Sequence, residues 1–201
     1  MTRYGMVIDL KRCIGCLACV VACKAEHYTG PGIFWTYVED EEIGKYPSVS
    51  RRFIPRGCMH CKNAPCVDTC PTGASRQRED GIVLVDGDKC IGCQACIVAC
   101  PYGARYFLEE NRGYYKAGVT PYELKGFEQH RPGVVEKCTF CQERLAVGEE
   151  PACVRVCLTK CRKFGDLDDP KSEVSELIRS RHGFQLHKDL GTDPSIYYLA
   201  P

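Results

Sequence analysis

Sixteen of the chain's 17 cysteines fall into four runs, and every run opens C-x2-C and closes C-x3-C. The runs are Cys13, Cys16, Cys19 and Cys23; Cys58, Cys61, Cys66 and Cys70; Cys90, Cys93, Cys96 and Cys100; and Cys138, Cys141, Cys153 and Cys157. The first and third read C-x2-C-x2-C-x3-C, the second C-x2-C-x4-C-x3-C-P and the fourth C-x2-C-x11-C-x3-C, which leaves Cys161 over. No other feature limits the fold as much, because a chain that gathers thiols at these spacings has little freedom left in its loops.

Thiols at this density need a covalent or metallic reason. Disulfides fit poorly: the count is odd, and tight C-x2-C units are awkward to bridge within themselves. Zinc is the serious rival, since four tetrathiolate sites would also use sixteen thiolates. Structural zinc sites, however, pair distant C-x2-C units, whereas three cysteines at x2–x2 followed by x3 wrap a cubane [4Fe–4S] cluster. Such a loop supplies three corners of the cube. The fourth cysteine, one helical turn further on, is carried away and ligates the other cluster of a pair. The spacers "VVA", "VDT", "IVA" and "VRV" suit that turn, and Pro71 and Pro101 then redirect the chain. Taken alone, the fourth run also fits zinc.

The formal net charge of +1 gives no reason to expect a nucleic-acid partner or a polybasic membrane contact. No apolar stretch approaches a membrane span, and "MTRYGMVIDLKRC" lacks the apolar region of a signal peptide, so none is expected. No glycine-rich nucleotide fingerprint or Ser/His/Asp pattern is present, so no catalytic residue is assigned. With sixteen cysteines ligating, no iron keeps an open position for substrate. The chain is expected to move single electrons and to leave bond chemistry to a partner.

The secondary-structure signals are short. "FWTYVE" (34–39) and "SVSRRFIP" (48–55) predict a β-ribbon, "ASRQRED" leads through Asp80-Gly81 into "IVLVD" as a hairpin, and "GARYFLEE" is another short strand. Segment 109–134 lacks periodicity and predicts an irregular connection. "DPKSEVSELIRSR" predicts a helix capped by Asp169 with Pro170 at its first position. The class is α+β, with short elements hung on the cofactors, which couple to folding as structural metals do.

The four-run pattern resembles the iron–sulfur electron-transfer subunits of molybdopterin oxidoreductases of the dimethyl sulfoxide reductase superfamily. The phrases that carry it are "YGMVIDLKRCIGCLACVVACKAEH" (4–27), "CMHCKNAPCVDTCPTGA" (58–74), "DGIVLVDGDKCIGCQACIVACPYGAR" (80–105), "KCTFCQERLAVGEEPACVRVC" (137–157), "FGDLDDPKSEVSELI" (164–178) and "GTDPSIYYL" (191–199). Polysulfide, thiosulfate and arsenate reductase small subunits are the nearest in kind, and the small subunit of an aromatic transhydroxylase or dehydroxylase is also similar. Cys23 and Cys157 lack the following proline, and Cys161 repeats the x3 spacing after Cys157. Cys161 therefore either replaces Cys157 as a ligand or is a buried free thiol.

The resemblance implies four [4Fe–4S] clusters with crossed ligation. Cys13, Cys16 and Cys19 share one with Cys157, and Cys138, Cys141 and Cys153 share one with Cys23. Cys58, Cys61 and Cys66 take Cys100, and Cys90, Cys93 and Cys96 take Cys70. It implies two nested bacterial-ferredoxin-like modules. One comprises 1–57 with 134–169 and includes the ribbon insertion at about 30–57; the other is 58–108. A connection at 109–133 and a C-terminal helix and tail at 170–201 complete the chain. The implied partners are a molybdenum or tungsten bis-pterin catalytic subunit and, where one exists, a polytopic quinone-reactive membrane anchor, in anaerobic respiration. The location is then a peripheral membrane-associated or soluble complex, the side of the membrane being open. The alternatives are a free-standing soluble polyferredoxin and a zinc or cluster scaffold. The long 109–134 segment and the "GTDPSIYYL" tail favour a permanent partner.

Other residues have plainer readings. His60, between Cys58 and Cys61, is expected to hydrogen-bond nearby rather than to ligate. Trp35, Tyr114, Tyr115 and Tyr122 are packing or interface residues. Arg12, Lys89 and Lys137 each precede a first cysteine, and are either a solvated face or local cations that favour the reduced cluster.

Overall fold

The computed structural model describes residues 2–201. Strand β1 (Tyr4–Asp9) lies at the centre of a three-stranded sheet, antiparallel to β8 (Arg162–Asp166) and parallel to β9 (Ile196–Leu199). Its residues alternate between two apolar bodies, as strand side chains must. Met6 and Ile8 enter the main core with Tyr198 and Ile196, while Val7 packs with Val174 and Leu199 beneath α7 (Glu173–Ser180). The tail is thus a structural strand: Ser195 donates its hydroxyl to the His60 carbonyl at 2.8 Å, and Tyr198 donates to the Pro55 carbonyl at 2.9 Å. It is not a free arm, so the support it lent to a permanent partner falls away.

Helices α1 (Ala18–His27), α2 (Pro65–Asp68), α3 (Ala95–Val98) and α6 (Ala152–Arg155) each carry the third cysteine of a run. They pack in pairs, α1 with α6 and α2 with α3. Hairpin β4 (Ser75–Gln77) and β5 (Val83–Val85) joins the second run to the third, and β6 (Tyr106–Leu108) pairs with β7 (Val134–Glu136) ahead of the fourth. The short α5 (Gln142–Ala146) follows Cys141. The ribbon is longer than the sequence signals: β2 (Thr36–Lys45) and β3 (Ser48–Gly57) pair along ten residues each. The pairs Arg52–Glu41 and Arg56–Glu39 join its strands.

Two expectations are corrected. The 109–133 connection is not irregular throughout, because α4 (Pro121–Phe127) lies within it. Its start is a capping box: the Thr120 hydroxyl accepts from the Glu123 amide and the Glu123 carboxylate accepts from the Thr120 amide. The same carboxylate accepts from the Tyr114 amide at 2.6 Å, pinning the preceding loop. Helix α7 starts later than expected. Ser172, not Asp169, is its cap and accepts from the Ser175 amide, while Asp169 closes a turn on the Lys171 amide.

Candidate iron–sulfur centres

The same backbone feature recurs in all four runs. The second residue between the first two cysteines has a left-handed conformation: Gly15 (φ 67°), His60 (φ 43°), Gly92 (φ 69°) and Phe140 (φ 55°). Glycine is needed at two of them for space as well. A Cβ on Gly15 would stand 2.4 Å from the Phe53 ring, and one on Gly92 would stand 2.4 Å from the Gly133 carbonyl oxygen. At the other two positions His60 and Phe140 bear the strain of a positive φ, and their rings stack on each other.

An open cleft of about 240 Å³ between 28–33 and 106–112 is lined by no cysteine. The thiols ring smaller voids instead. One is lined by Cys13, Cys16, Cys19, Cys157 and Cys161. A second is lined by Cys23, Cys58, Cys138, Cys141 and Cys153. A third is bounded by Cys70, Cys90, Cys93 and Cys96. Cys58, Cys66 and Cys100 surround Cys61 closely enough for their charges to act on it. Thus each trio from one run meets a cysteine from another.

This donor set fits [4Fe–4S] clusters. Four thiolates spread around a void suit a body with four iron corners, whereas a tetrathiolate zinc site draws sulfurs to about 2.3 Å from one ion. Burial, with the Cys58 thiolate next in weight, pushes the Cys61 and Cys138 thiols up to about 12. Burial raises Cys23 and Cys141 further still. Such thiols bind as thiolates only where a metal supplies positive charge.

Groups at the sulfurs complete the sites. The Cys70 sulfur accepts from the Ser75 amide at 3.3 Å, and the Cys157 sulfur from the Cys161 amide at 3.2 Å. His27 Nε2 stands 3.1 Å from Cys141 Sγ; its ring lies against Trp35, and its carbonyl accepts from His130 Nε2 at 2.6 Å. His60 is fully buried, and its Nδ1 accepts from the Val83 amide at 3.1 Å. Of the three cations preceding first cysteines, Arg12 is exposed and Lys89 is paired with Asp86 at 3.7 Å. Lys137 is buried, and its ammonium bonds the carbonyls of Val83 and Cys138.

The chain matches the family described as "4Fe-4S dicluster domain" over residues 49–119 and 115–167, and a second family of that description over 12–74. It belongs to the 4Fe–4S dicluster family. A selenate reductase subunit of Mesobacillus selenatarsenatis is 46% identical, the alignment covering 98% of this chain and 72% of the relative. The arsenate respiratory reductase iron–sulfur subunit of a Shewanella species is 39% identical over 98% of this chain and 96% of the relative. A sulfite dehydrogenase subunit of Allochromatium vinosum is 41% identical, covering 99% and 83%. The dicluster chain therefore has oxidoreductase-subunit relatives along almost its whole length.

Sequence reasoning missed His27, Arg105 and Arg162. The two arginines carried a signal: each stands five residues after the last cysteine of its run, Cys100 and Cys157. Among the described residues, no helix is long and apolar enough to cross a membrane.

Proposed function

We infer that this chain is the electron-transfer subunit of a reductase complex. It holds four [4Fe–4S] clusters and relays single electrons between a molybdopterin catalytic subunit and a quinone-linked membrane anchor or another redox partner. When bound, the clusters supply one-electron storage without bond making or breaking. The ligand sets are those given above, with Cys157 rather than Cys161 as the fourth ligand of the first trio. The division into nested modules, 1–57 with 134–169 and 58–108, follows from those sets.

One observation carries the reading: three cysteines of one run share a void with a fourth from another run, and the three voids together engage all four runs. The residues around them exclude water from the middle of the chain, where Cys58, Cys61, Cys66, Cys141 and Cys153 are buried. Cys16 and Cys93 are exposed, and apolar side chains surround them: Ile14 and Leu17 at one, Ile91 at the other. Partners are expected to dock over these two loops, the catalytic subunit at the Cys16 end and the anchor at the Cys93 end. The names of the relatives favour a complex subunit over a free-standing carrier.

The test is anaerobic iron and sulfide analysis with single cysteine variants. About sixteen irons and sixteen sulfides per chain are expected, four of each per cubane. Cys70→Ala should alter the spectrum of the cluster held by Cys90, Cys93 and Cys96, and leave that of Cys58, Cys61 and Cys66 intact. Zinc in place of iron, or damage confined to the variant's own run, overturns the reading.

A further inference from the structure

Arg105 and Arg162 are each 4% exposed. Burying a guanidinium costs several kcal/mol unless anions compensate it. Neither pairs with a carboxylate among the described residues; both turn to sulfur and hydroxyl groups. Arg105 donates to Cys66 Sγ at 3.0 Å and to the Ser75 hydroxyl at 2.7 Å. Arg162 lies 3.8 Å from Cys153 Sγ and 3.6 Å from the Met6 sulfur, and donates to the Thr36 hydroxyl at 2.9 Å. One nitrogen of Arg162, Nε, is buried with no partner among the described residues. In both cases a hydroxyl holds one arm of the fork while another arm faces sulfur.

Each arginine also faces two cluster sites. Arg162 lines both the void of Cys13, Cys16, Cys19 and Cys157 and that of Cys23, Cys138, Cys141 and Cys153. Arg105 also reaches two sites: it donates to Cys66 Sγ of one and to the hydroxyl of Ser75, which lines the void of Cys70, Cys90, Cys93 and Cys96. The two occupy matching positions in the sequence repeat, five residues beyond Cys100 and Cys157.

On the four-cluster reading above, we propose that Arg105 and Arg162 are a matched pair of potential-setting residues, each a buried cation shared by the two cluster sites of its own module. Reduction adds one electron to a cluster from a neighbouring one-electron donor and changes no bond. Each site thereby gains one negative charge, and net charge and hydrogen bonds to sulfur are among the determinants of cluster potential. A fixed cation between two sites raises both potentials together. Each arginine therefore shifts the two clusters of its module together and leaves the step between them unchanged.

The experiment compares the native holo chain with Arg105→Gln, Arg162→Gln and the two Arg→Lys variants. Iron is counted first, and midpoints are then read by spectroscopically monitored redox titration. A native count well below sixteen irons fails the four-cluster reading itself, separately from the arginines. In loaded variants, Arg105→Gln should lower the reduction equilibrium constants of the two clusters of the second and third runs by about tenfold each, about 59 mV for one electron. The clusters of the first and fourth runs should stay unmoved. Arg162→Gln should do the reverse, and lysine should restore more than half of each shift. A shift confined to one cluster, an equal shift in all four, or no shift overturns the proposal. Where glutamine prevents loading, the lysine variant decides: loaded and near native potential supports the proposal, whereas loaded and shifted tenfold, or unloaded, overturns it.

Discussion

The imidazole of His60 stacks on the ring of Phe140 with centroids 3.7 Å apart and planes 19° from parallel. These two residues occupy equivalent places in the second and fourth runs, the places that glycine takes in the first and third. The stack stands where the two proposed modules meet, since Cys58, Cys138 and Phe140 line one void. Two side chains that bear left-handed strain thereby become the packing between modules.

Phe140→Gly keeps the backbone angle but empties the ring's site. By analogy with Phe→Ala, the expected loss is about 3–5 kcal/mol. A double-mutant cycle with His60→Ala in anaerobic urea unfolding should return a coupling of about 0.5–1.5 kcal/mol. Additive losses would show that the stack contributes nothing of its own.

His27 reaches Cys141 across 114 residues of sequence, with Nε2 to Sγ at 3.1 Å. Hydrogen bonds to cluster sulfurs raise the potential. His27→Phe should lower the reduction equilibrium constant of the cluster held by Cys138, Cys141 and Cys153 by up to about tenfold, about 59 mV. Redox titration checks it, and the clusters of the second and third runs serve as internal controls.

The sulfurs of Cys157 and Cys161 are 3.5 Å apart, and both residues line the void of Cys13, Cys16 and Cys19. With Cys157 as the ligand, Cys157→Ala should strip or truncate the cluster of Cys13, Cys16 and Cys19. Cys161→Ala should retain about sixteen irons. The opposite pattern in the iron count would exchange the two assignments.

Tyr198→Phe deletes the donor to the Pro55 carbonyl, in a residue that is fully buried. A loss of about 1–3 kcal/mol is expected, the cost of leaving a buried acceptor unpaired. It should appear as a lower urea midpoint with unchanged slope and unchanged iron content.

Asp166 ties the ends of β1 and β8 together by accepting from the Arg3 and Asp168 amides, each at 2.9 Å. Burial works against its charge, but these amides outweigh it, and the carboxyl is held below its ordinary value. A depressed carboxyl contributes stability that is complete above the unfolded value of about 3.9 and is lost as pH falls through the folded one. Asp166→Asn should therefore destabilise the chain more at pH near 6 than at pH near 3, measured by chemical unfolding.

The spacing of the cysteines determined the metal chemistry, because cluster ligation by a loop is a local property that three closely spaced thiols declare by themselves. The ribbon, the β4–β5 hairpin and the C-terminal helix were legible for the same reason, each resting on nearby residues. Helix α4 was legible in principle through Thr120 and Glu123, but one turn of capping is a weak signal inside an aperiodic stretch. Only the tertiary structure decided the rest. It buried Arg105, Arg162 and Lys137, cations that a sequence presents as ordinary surface charges, and it brought His27 to Cys141. It also turned the tail into β9 beside β1. These outcomes depend on contacts between residues far apart in the chain, and the electrostatics of a buried charge depend on what surrounds it rather than on its neighbours in sequence.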